Sequence, residues 1–174
     1  YAAGLRSVGP VWSRQNAFAY GVPFRFPSSQ DIGPGLSDAG TRLVDRCNEL
    51  GIVVDVSHMN AAGFWGVAER SRAPLVASHS NAHALAPASR NLTDDQLDAI
   101  AASDGLVGIN FAVMFVRADG ADEPDTAVAE VVRHMTYVAE RNGIRHVGLG
   151  SDLDGATMPR ELAHSVVPIA LGYA

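Results

Sequence analysis

Short apolar β-type runs alternate with amphipathic helical stretches along this chain, and three of the runs end in a residue able to bind a metal or move a proton. Ile52–Ser57 runs into His58, Pro74–Ser78 into His79, and Ile144–Ser151 into Asp152. Strands alternating with helices predict parallel βα units. The C-terminal tips of such strands open into the mouth of a barrel or the crevice of an open sheet, where these folds place their chemistry. Two imidazoles and a carboxylate at such tips suggest metal-dependent hydrolysis.

The helices have clear boundaries. Ser37 can cap a helix over Asp38–Leu50, with Gly51 as its stop. Ala61–Arg70, Leu92–Ala102 and Thr126–Arg141 follow, with Asn91 or Thr93 as the cap of the third. Leu106–Phe111 reads as a further strand and Ala3–Val8 as a weaker one. The segment 10–35, rich in Pro, Gly, Ser and aromatics, reads as a long ordered loop over one end of the sheet, a wall for a site. The whole of 1–174 reads as one partial (β/α) barrel domain. Five strands are too few for a complete (β/α)8 barrel, which takes about 250 residues.

Composition bounds the function. The net charge of -6 argues against a nucleic-acid-binding surface. No apolar run is long enough to span a membrane, and no signal peptide is visible at the start, so the expected location is cytoplasmic. The one cysteine, Cys47, excludes an internal disulfide and a multi-Cys zinc site. It shares a helix face with Leu43, Val44 and Leu50 and reads as a core residue.

His58 and His79 stand one βα unit apart, so adjacent strand tips would bring both imidazoles to one metal. Asp152 lies in Gly150-Ser151-Asp152-Leu153-Asp154-Gly155. The two acids alternate in an extended segment, so Asp152 and Asp154 should face opposite ways and only Asp152 should point into the mouth. There it could take a proton from a metal-bound water. Arg90, in the loop after His79, suits a substrate carboxylate held bidentately, or is a surface residue beside a helix. Asp55, inside the strand before His58, either orients an imidazole or faces a helix. His83, His134, His146 and His164 stay outside the expected metal shell.

Val54-Asp55-Val56-Ser57-His58, Ala77-Ser78-His79-Ser80, Ser89-Arg90-Asn91-Leu92-Thr93-Asp94 and the Asp152 segment together resemble the membrane (renal) dipeptidase family, the peptidase M19 group. Gly35-Leu36-Ser37-Asp38-Ala39-Gly40 adds to the match. The resemblance implies a (β/α)8 TIM-type barrel of which this chain covers roughly strands 4 to 8. It implies a site with two zinc ions (Zn2+) that hydrolyses dipeptides through a metal-activated water. In that picture His58 and His79 bind the second zinc, Arg90 holds the terminal carboxylate of the dipeptide, and Asp152 contacts substrate and handles the proton. The family's His-x-Asp pair for the first zinc occurs nowhere in this sequence, and its bridging glutamate belongs to an earlier strand. A substrate-contacting histidine of mammalian relatives is also missing near Gly4–Val8, with Arg6 as its possible substitute. The leading expectation is a zinc dipeptidase seen as its C-terminal half. The alternative is a non-catalytic or partner-dependent half-barrel, completed by a missing N-terminal half or a homo-oligomer.

Overall fold

The structure is a computed structural model and describes residues 1–162. His164 lies outside the described residues. The elements run β1 (Ser7–Val8), α1 (Asp38–Leu50), β2 (Val53–Val54), α2 (Ala61–Arg70), β3 (Val76–Ser80), α3 (Asp94–Ala102), β4 (Leu106–Ile109), α4 (Val113–Val116), α5 (Val128–Asn142) and β5 (Val147–Leu149). A single 3-10 turn, Ile144–His146, leads into β5.

Every strand pair is parallel. β1 pairs with β2, and β3, β4 and β5 form a second ladder in that order. One parallel bridge, Asp55 to Val76, and a bond from Val56 N–H to Val76 O join the two ladders. The result is an open α/β arrangement. No closed eight-stranded barrel forms among the described residues, because β1 and β5 pair on one side only. The expected alternation of parallel strands and helices is present, and it forms an open sheet, in keeping with a partial domain.

The helix signals act as the sequence predicts. The Ser37 hydroxyl accepts from Gly40 N–H, and Gly51 ends α1 at φ 65°, a left-handed conformation that glycine adopts without steric cost. Asn60 caps α2 by accepting from Gly63 N–H at 2.9 Å. Its amide also donates to Gly33 O and Pro34 O, which pins the long loop to the helix. Thr93, not Asn91, caps α3. Asn91 is buried and donates to Ala86 O and Phe115 O, both at 2.8 Å.

The strands are shorter than the apolar runs. The β2 run leaves its ladder after Asp55, and β3 changes register between Ala77 and Ser80. Val44, Cys47, Phe64, Val67, Leu97, Ile100, Val107 and Ile109 form the core between sheet and helices. Cys47 is buried there and burial raises its thiol pKa, in keeping with a core role. His134 is buried on α5 and His146 in the 3-10 turn, where its Nδ1 meets Gly105 O at 2.8 Å. No helix among the described residues is long and apolar enough to cross a membrane.

Candidate active-site cleft

A cleft of about 640 Å³ opens at the C-terminal ends of the strands. Asp55, His58, His79 and Asp152 line it. Trp12 and Phe24 from the long loop, with Phe115 from α4, form an apolar wall beside His58, whose ring lies 6.0 Å from that of Trp12 and 6.5 Å from that of Phe24. Trp12 packs edge-on against Phe24 at 5.7 Å, and Phe24 against Phe115 at 5.2 Å. Trp12 and Phe24 belong to segment 10–35, where aromatic density is their one local sign.

His58 does not sit on a strand tip. It lies in a turn after β2 at φ 69°, a left-handed backbone uncommon for a non-glycine residue. Such conformations cost about 1–3 kcal/mol and cluster at functional sites. Asp152 shares the feature at φ 59°. Its segment is a turn rather than extended, with Gly155 N–H donating to Asp152 O. Asp152 still faces the cleft and Asp154 is exposed, so the expected division holds for a different geometric reason. Asn110 orients Asp152 by donating from Nδ2 to Oδ2 at 3.1 Å.

The register shift at the end of β3 lets Ser78 and His79 both reach the site side, which strict alternation would forbid. The two imidazoles meet directly, Nε2 to Nε2 at 2.8 Å. Ser13 Oγ lies 2.8 Å from His58 Nδ1, and Ser78 Oγ lies 2.7 Å from His79 Nδ1. Ser57 accepts from the His79 backbone N–H at 3.1 Å. Asp55 Oδ1 accepts from Ser57 N–H and Ser78 N–H, and Oδ2 accepts from the Ser78 hydroxyl. Asp55 therefore contacts neither imidazole directly and holds the Ser78 hydroxyl that lies beside His79 Nδ1. Ser13 and Ser78 were missed by sequence reasoning. The signal for Ser78 was present in the repeated Ser-His pair.

Burial, then the Arg90 charge and His79, lowers the His58 pKa to about 2. Burial and Arg90 also lower that of His79, against Asp55 and Asp152. Both rings are neutral near pH 7. Arg90 is only 2 % exposed and lies behind the cleft wall rather than above its mouth. Its terminal nitrogens donate to His79 O at 2.8 Å and Ser80 Oγ at 3.2 Å, while Nε has no partner. Burial lowers its pKa to about 10, still charged at neutral pH, with Asp55 and Asp152 opposing the shift. Arg6 turns away from the cleft, donates to Tyr1 O and Leu5 O, and stacks on the Tyr1 ring. It does not replace the missing histidine.

The residues at this cleft do not fit the expected zinc centre. Among the described residues no group of three or more His, Cys, Asp or Glu could hold a metal ion. Zinc takes about four ligands, of which a catalytic site supplies three from protein. Here the two imidazoles bond to each other, Asp55 is held by Ser78, and Asp152 is held by Asn110. The reading of this chain as a zinc dipeptidase, a metalloprotease with a zinc site of its own, is corrected accordingly.

The family model for membrane dipeptidase (peptidase family M19) matches residues 1–167. The chain belongs to this family. It is similar to dipeptidase AC, a metallopeptidase of family M19, with 55 % identity and a TM-score of 0.91 over 93 % of this chain and 48 % of that one. It is also similar to a metallopeptidase from Rhodobacter sphaeroides bound to a phosphinate mimic of the dipeptide L-Ala-D-Ala. There the identity is 51 % and the TM-score 0.90, over 99 % of this chain and 51 % of that one. Among curated proteins, an uncharacterized protein in the pqqA 5' region of Klebsiella pneumoniae is 53 % identical, over 93 % of this chain and 60 % of its own length. Dipeptidase aclJ of Aspergillus oryzae is 43 % identical, over 70 % of this chain and 28 % of its own length. This M19 chain thus spans about half the length of the relatives it matches.

Proposed function

We propose that this M19 chain is a partner-dependent half-barrel, a binding half that does not complete a hydrolytic site by itself. The observation that carries the reading is the incomplete donor set: the cleft has the family's form, yet among the described residues no three ligands gather. The open sheet supports it. Leu149 on the outer strand β5 is 71 % exposed, and Leu5 beside β1 is 49 % exposed. Unpaired strand edges of this kind are templates for pairing with further chain. On this reading the chain corresponds to strands 4 to 8 of a (β/α)8 barrel. His58 and His79 are two members of a donor set that only residues from a partner half can complete.

The ligand on this reading is a dipeptide, as the relative bound to an L-Ala-D-Ala mimic suggests. Arg90, behind the cleft wall, is the positive charge that draws the dipeptide's carboxylate without touching it. An arginine this buried with an unpartnered Nε keeps positive charge next to the cleft without a neutralising ion pair. Asp152 is the proton acceptor, held toward the cleft by Asn110. The apolar wall of Trp12, Phe24 and Phe115 receives a side chain of the ligand.

The test is complementation. The full chain is mixed with a polypeptide carrying the first half of the Klebsiella pneumoniae relative, and mass is followed by light scattering. A one-to-one complex that gains dipeptide binding is expected. Failure to associate, with dipeptide binding already complete in the chain alone, contradicts the proposal.

A further inference from the structure

The aromatic wall of the cleft is held from behind by one buried segment. Ser89, Arg90 and Asn91 lie in the loop between β3 and α3, yet all three are buried. Together they reach two members of the wall. The Ser89 hydroxyl donates to Pro23 O and accepts from Arg25 N–H at 3.2 Å. Its backbone N–H donates to Arg25 O at 3.1 Å. Phe24 lies between Pro23 and Arg25, so one serine brackets it on both sides. Just upstream, Val22 N–H donates to His58 O at 2.9 Å and fixes the other end of this stretch. Asn91 Nδ2 donates to Phe115 O at 2.8 Å, and the Arg90 guanidinium stands 5.8 Å from the Phe115 ring centre.

The long loop forms no helix or strand between Pro10 and Gly35, so no ladder sets the direction of Phe24. Its ring is 46 % exposed and meets Phe115 edge-on at 5.2 Å. Such a contact is directional, and it persists only where the backbone beneath the ring is fixed. Ser89 supplies that fixation without lining the cleft itself.

We propose that Ser89 is a positioning residue that sets which ligand side chains the cleft accepts, because its hydroxyl holds Phe24 where the ring closes on Phe115. The continuous apolar face so formed favours an apolar side chain over a polar one of the same size. The choice of ligand rests on the dipeptide reading above, whereas the hold on Phe24 stands on this chain alone.

Ser89→Ala removes the hydroxyl and leaves the backbone bond to Arg25 O, so the loop stays paired while its grip on Pro23 O is lost. NMR on the full chain with labelled phenylalanine reads nuclear Overhauser contacts between the Phe24 and Phe115 rings. The wild type should show them, Ser89→Ala should lose them, and Ser89→Thr, which restores a hydroxyl, should regain them. In the complex with the first half of the Klebsiella pneumoniae relative, Ser89→Ala should also cut the preference for Ala-Leu over Ala-Asn about tenfold, the low end for an altered apolar pocket. A serine that only stabilises the loop would lower the urea midpoint and move neither readout. Ring contacts absent from the wild type, or unchanged in Ser89→Ala, would overturn the proposal, as would an unchanged preference once those contacts are lost. A wild-type complex that binds neither dipeptide defeats the reading above, while the ring contacts still decide whether Ser89 holds Phe24. If Ser89→Ala does not fold, Ser89→Cys, which keeps the volume and weakens both hydroxyl bonds, takes its place with the same expected losses.

Discussion

Gly108→Ala is expected to destabilise the chain by about 3 kcal/mol or more, the upper range for overpacking. Gly108 lies in β4, the middle strand of its ladder. A Cβ there would stand 2.0 Å from the Ser78 carbonyl oxygen and 3.1 Å from Gly150 Cα. Both neighbours are backbone, so neither can move aside without breaking strand pairing. The disturbed carbonyl also belongs to the residue that links His79 to Asp55. Loss of stability should therefore bring loss of the cleft's geometry. Gly66→Ala is the control. Its Cβ would meet only the flexible Leu36 side chain, at 3.3 Å, and alanine gains helix propensity. Urea denaturation should place Gly66→Ala within about 1 kcal/mol of wild type. Similar midpoints for the two variants would show that the β3–β4 contact is looser than described.

The second large effect is a loss of stability at acid pH traced to His134. This ring is fully buried on α5. Its Nδ1 accepts from Ala82 N–H and its Nε2–H donates to Val116 O, each at 3.1 Å, so it ties the end of β3 to α4. Burial lowers its pKa from 6.5 to about 4. The unfolded chain therefore takes up a proton first as pH falls. The stabilisation is fully present above pH 6.5 and is lost between pH 6.5 and about 4. The full loss is roughly 3 kcal/mol. Protonation also removes the acceptor for Ala82 N–H and leaves that buried donor unpaired. His58 and His79 act in the same direction, so the contribution is isolated by comparison with His134→Gln. An amide can accept from Ala82 and donate to Val116 without titrating. Urea midpoints at pH 7.5, 5.5 and 4.5 should fall less steeply in the variant. Equal slopes would show that His134 does not set the acid limit.

Much of this fold is legible in the sequence because its signals are local. Ser37 and Gly51 bound α1, and Asn60 opens α2, since capping needs only neighbouring backbone. Strand lengths are not local. They depend on where a neighbouring strand stops pairing, so the β2 run ends its ladder at Asp55 and His58 falls into a turn. The site is legible in part for the same reason. His58, His79 and Asp152 were marked by strand-end position and do face one cleft. Arg90 was marked too, but its burial behind that wall depends on how the loop after β3 folds back. Ser13 lies 45 residues from His58, and no spacing rule joins them.

The described residues of this chain do not gather a zinc site on their own. Metal content and dipeptide hydrolysis are to be measured together on the purified full chain after incubation with excess zinc and gel filtration. Less than one tightly held zinc per chain and no turnover of Ala-Ala dipeptides above buffer are expected. Two zinc ions per monomer with dipeptide hydrolysis, both lost in His58→Ala and His79→Ala, would contradict this expectation.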